Sequence, residues 1–198
     1  MNELKVTQIL KSDLGFSDSS IEKIKKFNNY LLEYNKRYNL ISKSTENNIW
    51  YRHILDSAQI IKYIDFSKIN NLADFGSGAG FPGIIIALHA ENPAFHVKLY
   101  EKSPVKRDFL RDVMNKLNIK NITIKNNVYE KEVLADVIVC RAFKKLKEII
   151  DISREIVKKP HKLIILKGKN AQSEINKVSL GSNYSYKLKS SITDDDSK

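Results

Sequence analysis

A run of glycines at alternating positions follows a short apolar segment near the middle of the chain. Residues 71–83 read NLADFGSGAGFPG, and the apolar residues 84–90 that come next suit a helix whose first turn contains the proline. A strand, a glycine-rich turn and a helix in this order begin a βαβ unit, in which glycine lets the backbone approach a bound nucleotide. The run therefore predicts an α/β fold with a nucleotide-like ligand at the turn.

Two kinds of ligand fit this turn. The spacing of Gly78, Gly80 and Gly83 matches the dinucleotide pattern GxGxxG, which is weak alone. The acid two positions before Gly76 gives D-x-G-x-G-x-G, which favours S-adenosylmethionine over NAD. Glu101 ends a predicted second strand 18 positions after Gly83, where a carboxylate would accept hydrogen bonds from ribose hydroxyls. The ribose of NAD would use a carboxylate at this position equally well, so an NAD-dependent oxidoreductase stays an alternative.

Strand-like and helix-like segments alternate from residue 72 onward. We predict strands at residues 72–75, 95–100, 122–124, 137–139 and 163–166, and helices at residues 83–90, 104–117 and 146–158. Such alternation implies parallel strands with helices on both faces, a Rossmann-like α/β sheet. Before it, residues 18–20 supply N-cap candidates for a helix over 21–34, and residues 49–63 form a second helical piece. We therefore predict a helical N-terminal lobe at residues 1–65 and an α/β domain at residues 66–198.

The chain is strongly basic. Its 34 Lys and Arg residues against 23 Asp and Glu give a net charge of +11 at pH 7, which favours a polyanionic partner such as nucleic acid or an anionic membrane surface. A surface that merely keeps the protein soluble is the alternative. The single cysteine excludes an internal disulfide framework and fits a reducing compartment. Without a leader-like start or a membrane-length apolar run, we predict a cytoplasmic protein with no membrane partner.

Six motifs together resemble one family. They occur in its order and spacing: YNKRYNLIS at residues 34–42, HILDS at 53–57, DFGSGAGFPGI at 74–84, EKSPVKRDFL at 101–110, RAF at 141–143 and LKG at 166–168. The chain is similar to the small-subunit ribosomal RNA guanine-N7 methyltransferases, the group once called glucose-inhibited division protein B. The match covers roughly residues 21–190, and the glycine run combined with the HILDS block is its most specific part.

The resemblance implies a class I methyltransferase that moves a methyl group from S-adenosylmethionine to N7 of the guanosine called 527 in 16S rRNA. The substrate would be 16S rRNA or the small ribosomal subunit, and the enzyme a monomer. N7 carries an in-plane lone pair and no proton, so no general base and no catalytic residue is expected. Three alternatives remain: a methyltransferase acting on another RNA site or on a small molecule, a catalytically silent RNA-binding protein, and the oxidoreductase.

The resemblance also assigns the cofactor residues. Gly76 and Gly78 would meet the methionine end of S-adenosylmethionine, Phe81 would pack beside it, and Glu101 would bind the ribose. The adenine contact would fall on Val128 and Tyr129. Relatives usually carry an acid where this chain has Tyr129, so a backbone amide or the adjacent Glu130 would have to replace it.

Arg141 follows the predicted strand 137–139, at the sheet edge where ligands bind. We predict that it contacts the cofactor or the target nucleotide, with a surface ion pair as the alternative. Arg107 and Lys167 are the candidates for contact with substrate RNA. Lys102, Lys106 and Arg111 complete a possible phosphate-binding face, although a solvated helix face explains each of them equally well.

Other candidates are better explained by structure. His53 lies beside apolar residues with no second histidine at metal spacing, so we predict a structural hydrogen bond and no metal site. Cys140 at a strand end is predicted to be a buried thiol, not a nucleophile. Trp50, Tyr51 and the tyrosines of residues 30–38 fall at helical spacing, which favours core packing over base stacking.

The end of the sequence predicts a strand and the beginning of a hairpin. Residues 184–188 read as a strand and residues 193–198 as a hairpin turn, after which relatives continue with an apolar antiparallel strand. We hypothesise that this polypeptide is truncated or lacks that strand. Residues from about 181 would then be poorly ordered or pair differently, and the strand near 163–166 would keep an unpaired edge.

Overall fold

The computed structural model describes residues 2–129, 132–181 and 184–193. Helical elements fill the first third of the chain: α1 (Glu3–Ser12), α2 (Asp18–Asn35), α3 (Lys43–Glu46), a π-helical turn (Trp50–Leu55), α4 (Asp56–Ala58) and a 3₁₀ turn (Gln59–Tyr63). The alternating part consists of β1 (Asn71–Phe75), α5 (Gly83–His89), β2 (His96–Tyr100), α6 (Pro104–Lys116), β3 (Ile122–Lys125), β4 (Val137–Arg141), α7 (Leu146–Ile156), β5 (Lys162–Leu166) and α8 (Ala171–Ile175).

The five strands form one parallel sheet in the order β3-β2-β1-β4-β5. The chain leaves β1 in one direction toward β2 and β3, and later returns to the other side of β1 with β4. Such a reversal leaves a crevice at the carboxyl ends of the central strands, where ligands bind in open α/β sheets. The predicted Rossmann-like fold and its five strands are confirmed, each strand within two residues of its predicted ends.

Helices cover both faces of the sheet, as predicted. On one face, α5 and α6 pack on the strands and α2 packs on these two helices, through a core that contains Phe27, Ile85 and Phe109. On the other face, Ile149 and Ile152 of α7 pack with side chains of the strands in a second, smaller core cluster. The larger cluster contains buried side chains from both sides of residue 65, and the division into two domains stays a prediction.

Helix α2 begins earlier than expected. Its N-cap is Ser17, whose Oγ accepts a hydrogen bond from the Ser20 amide at 3.2 Å, so the prediction of an N-cap within residues 18–20 was wrong. A serine in extended conformation directly before the helix satisfies a free amide, and Asp18 then lies in the first turn where its charge suits the helix dipole. Residues 49–63 are helical as predicted, but mostly in π and 3₁₀ geometry.

The predicted strand at residues 184–188 is wrong. These residues have no regular secondary structure, and Tyr184, Tyr186 and Leu188 are 52%, 57% and 37% exposed. They pair with none of the strands that the structure describes; instead the Arg154 guanidinium lies 4.1 Å from the centre of the Tyr184 ring. Of the predicted hairpin turn, only Thr193 belongs to the described residues.

Candidate functional site

A cleft of about 1900 Å³ opens at the carboxyl ends of the central strands. The turn after β1, the end of β2, the loop after β3 and the end of β4 all contribute to its walls. Residues of the segment 40–60 form the opposite wall, and the space continues along β5 and residues 184–193 beyond the glycine turn. The cleft therefore lies at the position that the glycine run predicted for a ligand.

The glycine turn exposes backbone to this cleft. Gly76 and Gly78 have left-handed φ angles of 74° and 57°, which side chains other than glycine rarely adopt. The amides of Gly76 and Ser77 both donate to the Tyr100 carbonyl, at 2.9 and 3.1 Å, which ties the turn to the end of β2. A Cβ on Gly78 would have its nearest neighbour 3.9 Å away, so the space above this residue is open for a ligand.

Asp74 supports the turn from below. Its side chain is completely buried, and Oδ2 accepts a hydrogen bond from the Gly83 amide at 2.9 Å, where α5 begins. Oδ1 has no hydrogen-bond partner among the described residues. Burial raises the pKa of this carboxyl to about 7, although the Gly83 hydrogen bond acts in the opposite direction. The acid of the motif thus holds the two ends of the turn together and does not face the cleft as a free anion.

Glu101 closes the turn from the side. Its Oε2 accepts from the Gly78 amide and its Oε1 from the Ser103 amide, both at 2.8 Å. Only 9% of the residue is exposed. Because each carboxylate oxygen can accept two hydrogen bonds, these contacts leave acceptor capacity for ribose hydroxyls. The structure brings together Gly76, Gly78 and Glu101, as the sequence predicted.

Arg141 connects β4 to the helical wall. Its Nη1 donates to the Arg52 carbonyl at 3.0 Å and to Asp56 Oδ2 at 3.3 Å, and its Nη2 lies 2.7 Å from His53 Nδ1. An arginine can only donate, so Nδ1 accepts and the ring proton must be on Nε2, which lies 2.8 Å from Thr45 Oγ1. All of these partners belong to the protein, so any contact between Arg141 and a ligand would add to this network.

His53 has the structural hydrogen bonds that were predicted for it. Burial lowers its pKa to about 3, and the positive charges of Arg141 and Arg52 act in the same direction. The ring is therefore neutral at physiological pH and can accept from Arg141. It also stacks on Phe81, with 5.2 Å between the ring centres.

Phe81 is 3% exposed and forms the base of this arrangement. The Arg141 guanidinium lies 5.2 Å from the centre of its ring. Phe81 thus contributes an apolar surface to the cleft beneath His53 and Arg141. This position is compatible with the predicted packing of Phe81 beside the cofactor.

The loop after β3 places two predicted residues differently. Val128 is buried, whereas the Tyr129 side chain is 51% exposed at the edge of the cleft. The Tyr129 amide donates to Asn127 Oδ1 at 3.1 Å, which engages the backbone donor that could otherwise read an adenine. Glu130, the suggested replacement for the missing acid, lies outside the described residues.

The two candidates for RNA contact have partners inside the protein. Arg107 Nη1 donates to the carbonyls of Glu101 and Lys102, at 3.0 and 2.6 Å. Lys167 Nζ donates to the Lys144 carbonyl at 2.8 Å and lies 2.9 Å from Glu174 Oε2. Both side chains thus hold loops at the edge of the cleft in the present structure.

Several alternatives can be decided. Cys140 is fully buried, and burial raises the pKa of its thiol, which makes a nucleophilic role unsuitable. Among the described residues, no cluster of acids, histidines or cysteines could hold a metal ion. Within the same part of the chain, no helix is both long and apolar enough to cross a bilayer. Trp50 is buried as predicted, but Tyr38 is 45% exposed, so the prediction of core packing for that tyrosine was wrong.

Sequence reasoning missed Phe143 and Asp56. Phe143 follows Ala142, which has a left-handed φ of 50°, and its ring lies so close to Gly76 that a Cβ there would collide with it. Asp56 Oδ1 accepts from Gln59 Nε2 at 2.9 Å and from Thr193 Oγ1 at 2.8 Å, while its Oδ2 faces Arg141. Both residues stand in quoted motifs, RAF and HILDS, which was the only available signal.

The chain resembles known proteins over most of its length. A family model described as rRNA small subunit methyltransferase G matches residues 20–195. A ribosomal RNA small subunit methyltransferase G from Pelagibacter ubique (strain HTCC1062) is 39% identical over 176 residues, which cover 86% of this chain and 82% of that protein. The protein of the same name from Orientia tsutsugamushi (strain Ikeda) is 34% identical over 193 residues, which cover 98% and 95%.

A solved structure is similar in fold. The structure of TYW2 from Pyrococcus horikoshii in complex with MeSAdo has a TM-score of 0.50 and 17% identity to this chain, and covers 63% of it and 48% of that chain. At such low identity the likeness concerns the fold alone.

Proposed function

Because the chain belongs to the rRNA small subunit methyltransferase G family, we propose that it methylates N7 of a guanosine in 16S rRNA, at the position called 527. It is an S-adenosylmethionine-dependent methyltransferase and its substrate is ribosomal RNA. The observation that carries the proposal is the meeting of Gly76, Gly78 and Glu101 at one open cleft beside the ends of β1 and β2.

The residues of the cleft fit S-adenosylmethionine. The open space above Gly78 accepts the methionine end against bare backbone, and Glu101 is placed to accept from the ribose hydroxyls. The adenine would lie against Val128 and Tyr129, where the exposed tyrosine ring offers a stacking face in place of the usual acid. Arg141 would contact the ligand from the opposite wall while His53 and Asp56 hold its guanidinium.

The chemistry requires positioning more than proton transfer. S-adenosylmethionine supplies a methyl group on a positively charged sulfur, and the N7 lone pair displaces that sulfur with no proton to remove. The protein must therefore hold both partners in line and exclude water, which is worth about 7–11 kcal/mol in favourable cases. The aromatic ring of Phe143 next to Gly76 gives the target guanine a face to stack on.

Arg107 and Lys167 are proposed to contact the rRNA at the edge of the cleft. To contact rRNA, each of the two side chains must either bind a phosphate in addition to its present partners or release those partners. We further propose that the protein acts in the cytoplasm, a reducing compartment that its single cysteine suits, and that it acts there as a monomer, as expected from the sequence.

The test uses small ribosomal subunits purified from cells that lack this enzyme. With labelled S-adenosylmethionine, the purified protein should transfer one methyl group per subunit, and mass mapping should locate it on N7 of the proposed guanosine. A methyl group at another nucleotide would overturn the assigned position. No transfer, despite saturable binding of S-adenosylmethionine, would favour the silent RNA-binding protein.

A further inference from the structure

The turn that follows α2 presents polar and charged side chains to solvent. Lys36, Arg37, Tyr38 and Asn39 are all exposed, and we refer to residues 36–39 as the KRYN turn. Tyr38 is unusual among the tyrosines of this region, because its neighbours Tyr30 and Tyr34 pack against the core. The Tyr38 ring contacts the Tyr34 ring on one side, with 6.3 Å between their centres, and 45% of the residue stays exposed beside two cations.

The KRYN turn is held rigidly. Asn35 Oδ1 accepts from the amides of Leu40 and Ile41, at 2.9 and 3.0 Å, which closes the turn. The amides of Arg37 and Tyr38 both donate to the Tyr34 carbonyl at 3.0 Å. Because the backbone is fixed, a partner that binds these side chains does not have to order the turn first, which favours binding.

The framework below the turn is also tied down. The Tyr34 hydroxyl donates to Asp112 Oδ2 of α6 at 2.7 Å, and Lys116 of the same helix forms an ion pair with Asp112 at 2.8 Å. The Lys116 ammonium further lies 4.8 Å from the centre of the Tyr30 ring. The end of α2 thus has a fixed position on α6.

The chain leads directly from this turn into the cleft. Leu40 and Ile41, the next two residues after Asn39, are buried and line the cleft wall. Four residues later Thr45 lines it as well and contacts His53, the partner of Arg141. The KRYN turn is therefore joined directly to the wall of the cleft that contains the glycine turn.

The cations of the turn have no partners within the described part of the chain. No hydrogen bond or ion pair engages the side chains of Lys36 and Arg37 there, and Lys43 at the start of α3 is likewise exposed. By contrast, Lys144 and Lys147 are paired with Glu148 and Asp151, at 2.9 and 2.7 Å. The charges of the turn are available for phosphate without loss of an existing contact.

We propose that the KRYN turn is the surface on which single-stranded rRNA next to the target guanosine docks. Lys36 and Arg37 contact phosphates, and the Tyr38 ring stacks on an unpaired base. This rests on the proposed function, because it assumes an rRNA substrate. Unpaired RNA is favoured over a duplex because an exposed aromatic ring can stack only on a base that is splayed out.

The main variant reverses both charges of the turn, Lys36→Glu with Arg37→Glu. The matched control makes the same change in net charge with Lys5→Glu and Lys26→Glu, two exposed lysines of α1 and α2 that do not line the cleft. Binding is measured to small subunits and to a protein-free RNA fragment that contains the target loop, at several salt concentrations. S-adenosylmethionine affinity is measured for each variant by calorimetry.

We expect the Kd for RNA of the turn variant to rise at least tenfold, with S-adenosylmethionine affinity unchanged. The slope of log affinity against log salt should decrease by about 1.4, the amount expected for two lost phosphate contacts with a single strand. Tyr38→Ala should weaken RNA binding about tenfold and Tyr38→Phe should not, because stacking needs the ring and not the hydroxyl.

Equal RNA affinity and salt slope for the turn variant and the control would overturn the inference. If the wild-type protein binds both substrates, an effect seen with assembled subunits but not with the protein-free fragment would also overturn it, since the turn would then contact a part of the subunit other than the RNA of the target loop. Failure of the wild-type protein to methylate any rRNA would instead contradict the proposed function. Methylation by the wild type and RNA binding by the variants therefore test the two proposals separately.

Discussion

At the scale of single residues, Arg141 joins parts of the chain that are far apart in sequence. Its partners His53 and Asp56 precede it by 88 and 85 positions, and Asp56 in turn accepts from Thr193. One guanidinium thus organises the helical wall of the cleft and its connection to the end of the chain that the structure describes. The same side chain borders the space assigned to the cofactor.

Arg141→Ala should reduce both stability and methylation. The change leaves the Asp56 carboxylate and His53 Nδ1, both largely buried, without their cationic donor, and we expect a loss of about 2–4 kcal/mol in the free energy of unfolding. Denaturant unfolding measures that loss. The control Arg154→Ala removes a guanidinium whose partners are the Leu180 carbonyl and the Tyr184 ring and not His53 or Asp56, and it should keep methylation. Full stability of Arg141→Ala would show that the network is dispensable.

Gly78→Val should weaken cofactor binding strongly in a folded protein. The side chain would enter the open space above the turn, and a left-handed φ of 57° costs a branched residue about 1–2 kcal/mol. We expect the affinity for S-adenosylmethionine to fall about 100-fold, measured by calorimetry. Gly181→Val is the matched control, since Gly181 also has a positive φ and open surroundings but lies away from the turn. Unchanged affinity in Gly78→Val would remove the turn from the site.

His53 and Asp74 should give stability opposite dependences on pH. The pKa of His53 is about 3 in the folded protein, below its ordinary 6.5, so its contribution is lost as pH falls from 6.5 toward 3. The pKa of Asp74 is about 7, above its ordinary 3.8, so its contribution is lost as pH rises from 3.8 toward 7. In the shared window the two effects oppose each other.

Asp74→Asn therefore isolates the histidine. Its stability should rise more steeply than that of the wild type between about pH 4.5 and about pH 6.5, because each titrating group contributes up to about 1.4 kcal/mol per pH unit. Urea unfolding at the two pH values measures the difference. Parallel curves for the two proteins would show that Asp74 is ionised in the folded state at both pH values.

At the scale of elements, β1, α5 and β2 meet at one point without spare room. A Cβ on Gly83 would collide with Leu99 of β2 and lie 2.7 Å from Asp74 Oδ2. Gly83→Ala should therefore cost about 1–3 kcal/mol of unfolding free energy, as overpacking does, and disturb the Asp74 hydrogen bond. Gly168→Ala, with no atom within 4 Å of the added carbon, should be near neutral in the same denaturation experiment. Equal stability of both variants would contradict this packing.

The sequence predicted the elements that carry their own periodic signal. The strands β1 and β4 could be predicted because each is a short, mostly apolar run that is buried on both faces, and the helix α7 because its apolar residues recur at helical spacing. The helix α1 was missed, since only Val6 and Leu10 are buried on it. The segment 184–188 has a strand-like pattern but no neighbouring strand, and a strand needs a partner as much as a pattern.

The candidate site was predictable only where its parts belong to one local βαβ unit. The contacts among Gly76, Gly78 and Glu101 follow from a local βαβ unit, so spacing alone placed them. The contact of Phe143 with Gly76 and that of Arg141 with His53 depend on how distant segments pack, which no local pattern encodes. Tyr38 was misassigned because helical spacing continued in the sequence past the point where α2 ends.

At the scale of the whole molecule, the central and edge strands of the sheet differ in how fully they are hydrogen-bonded and buried. Strand β1 is hydrogen-bonded on both sides, to β2 and β4, and Leu72, Ala73 and Phe75 are fully buried. Strand β5 pairs only with β4, and its residues are exposed or half-buried. Among the described residues nothing pairs with its outer edge.

That one-sided pairing should be visible in amide hydrogen exchange. In native conditions, amides of β1 should exchange only through global unfolding, whereas the outward-facing amides of β5 should exchange through small local openings. Mass spectrometry of peptides from the two strands would show this as a difference in uptake times. Equally slow uptake in both strands would mean that the outer edge of β5 is covered. A sheet with such a gradient would lose its β5 side first under mild denaturation, while the glycine turn at β1 kept its shape.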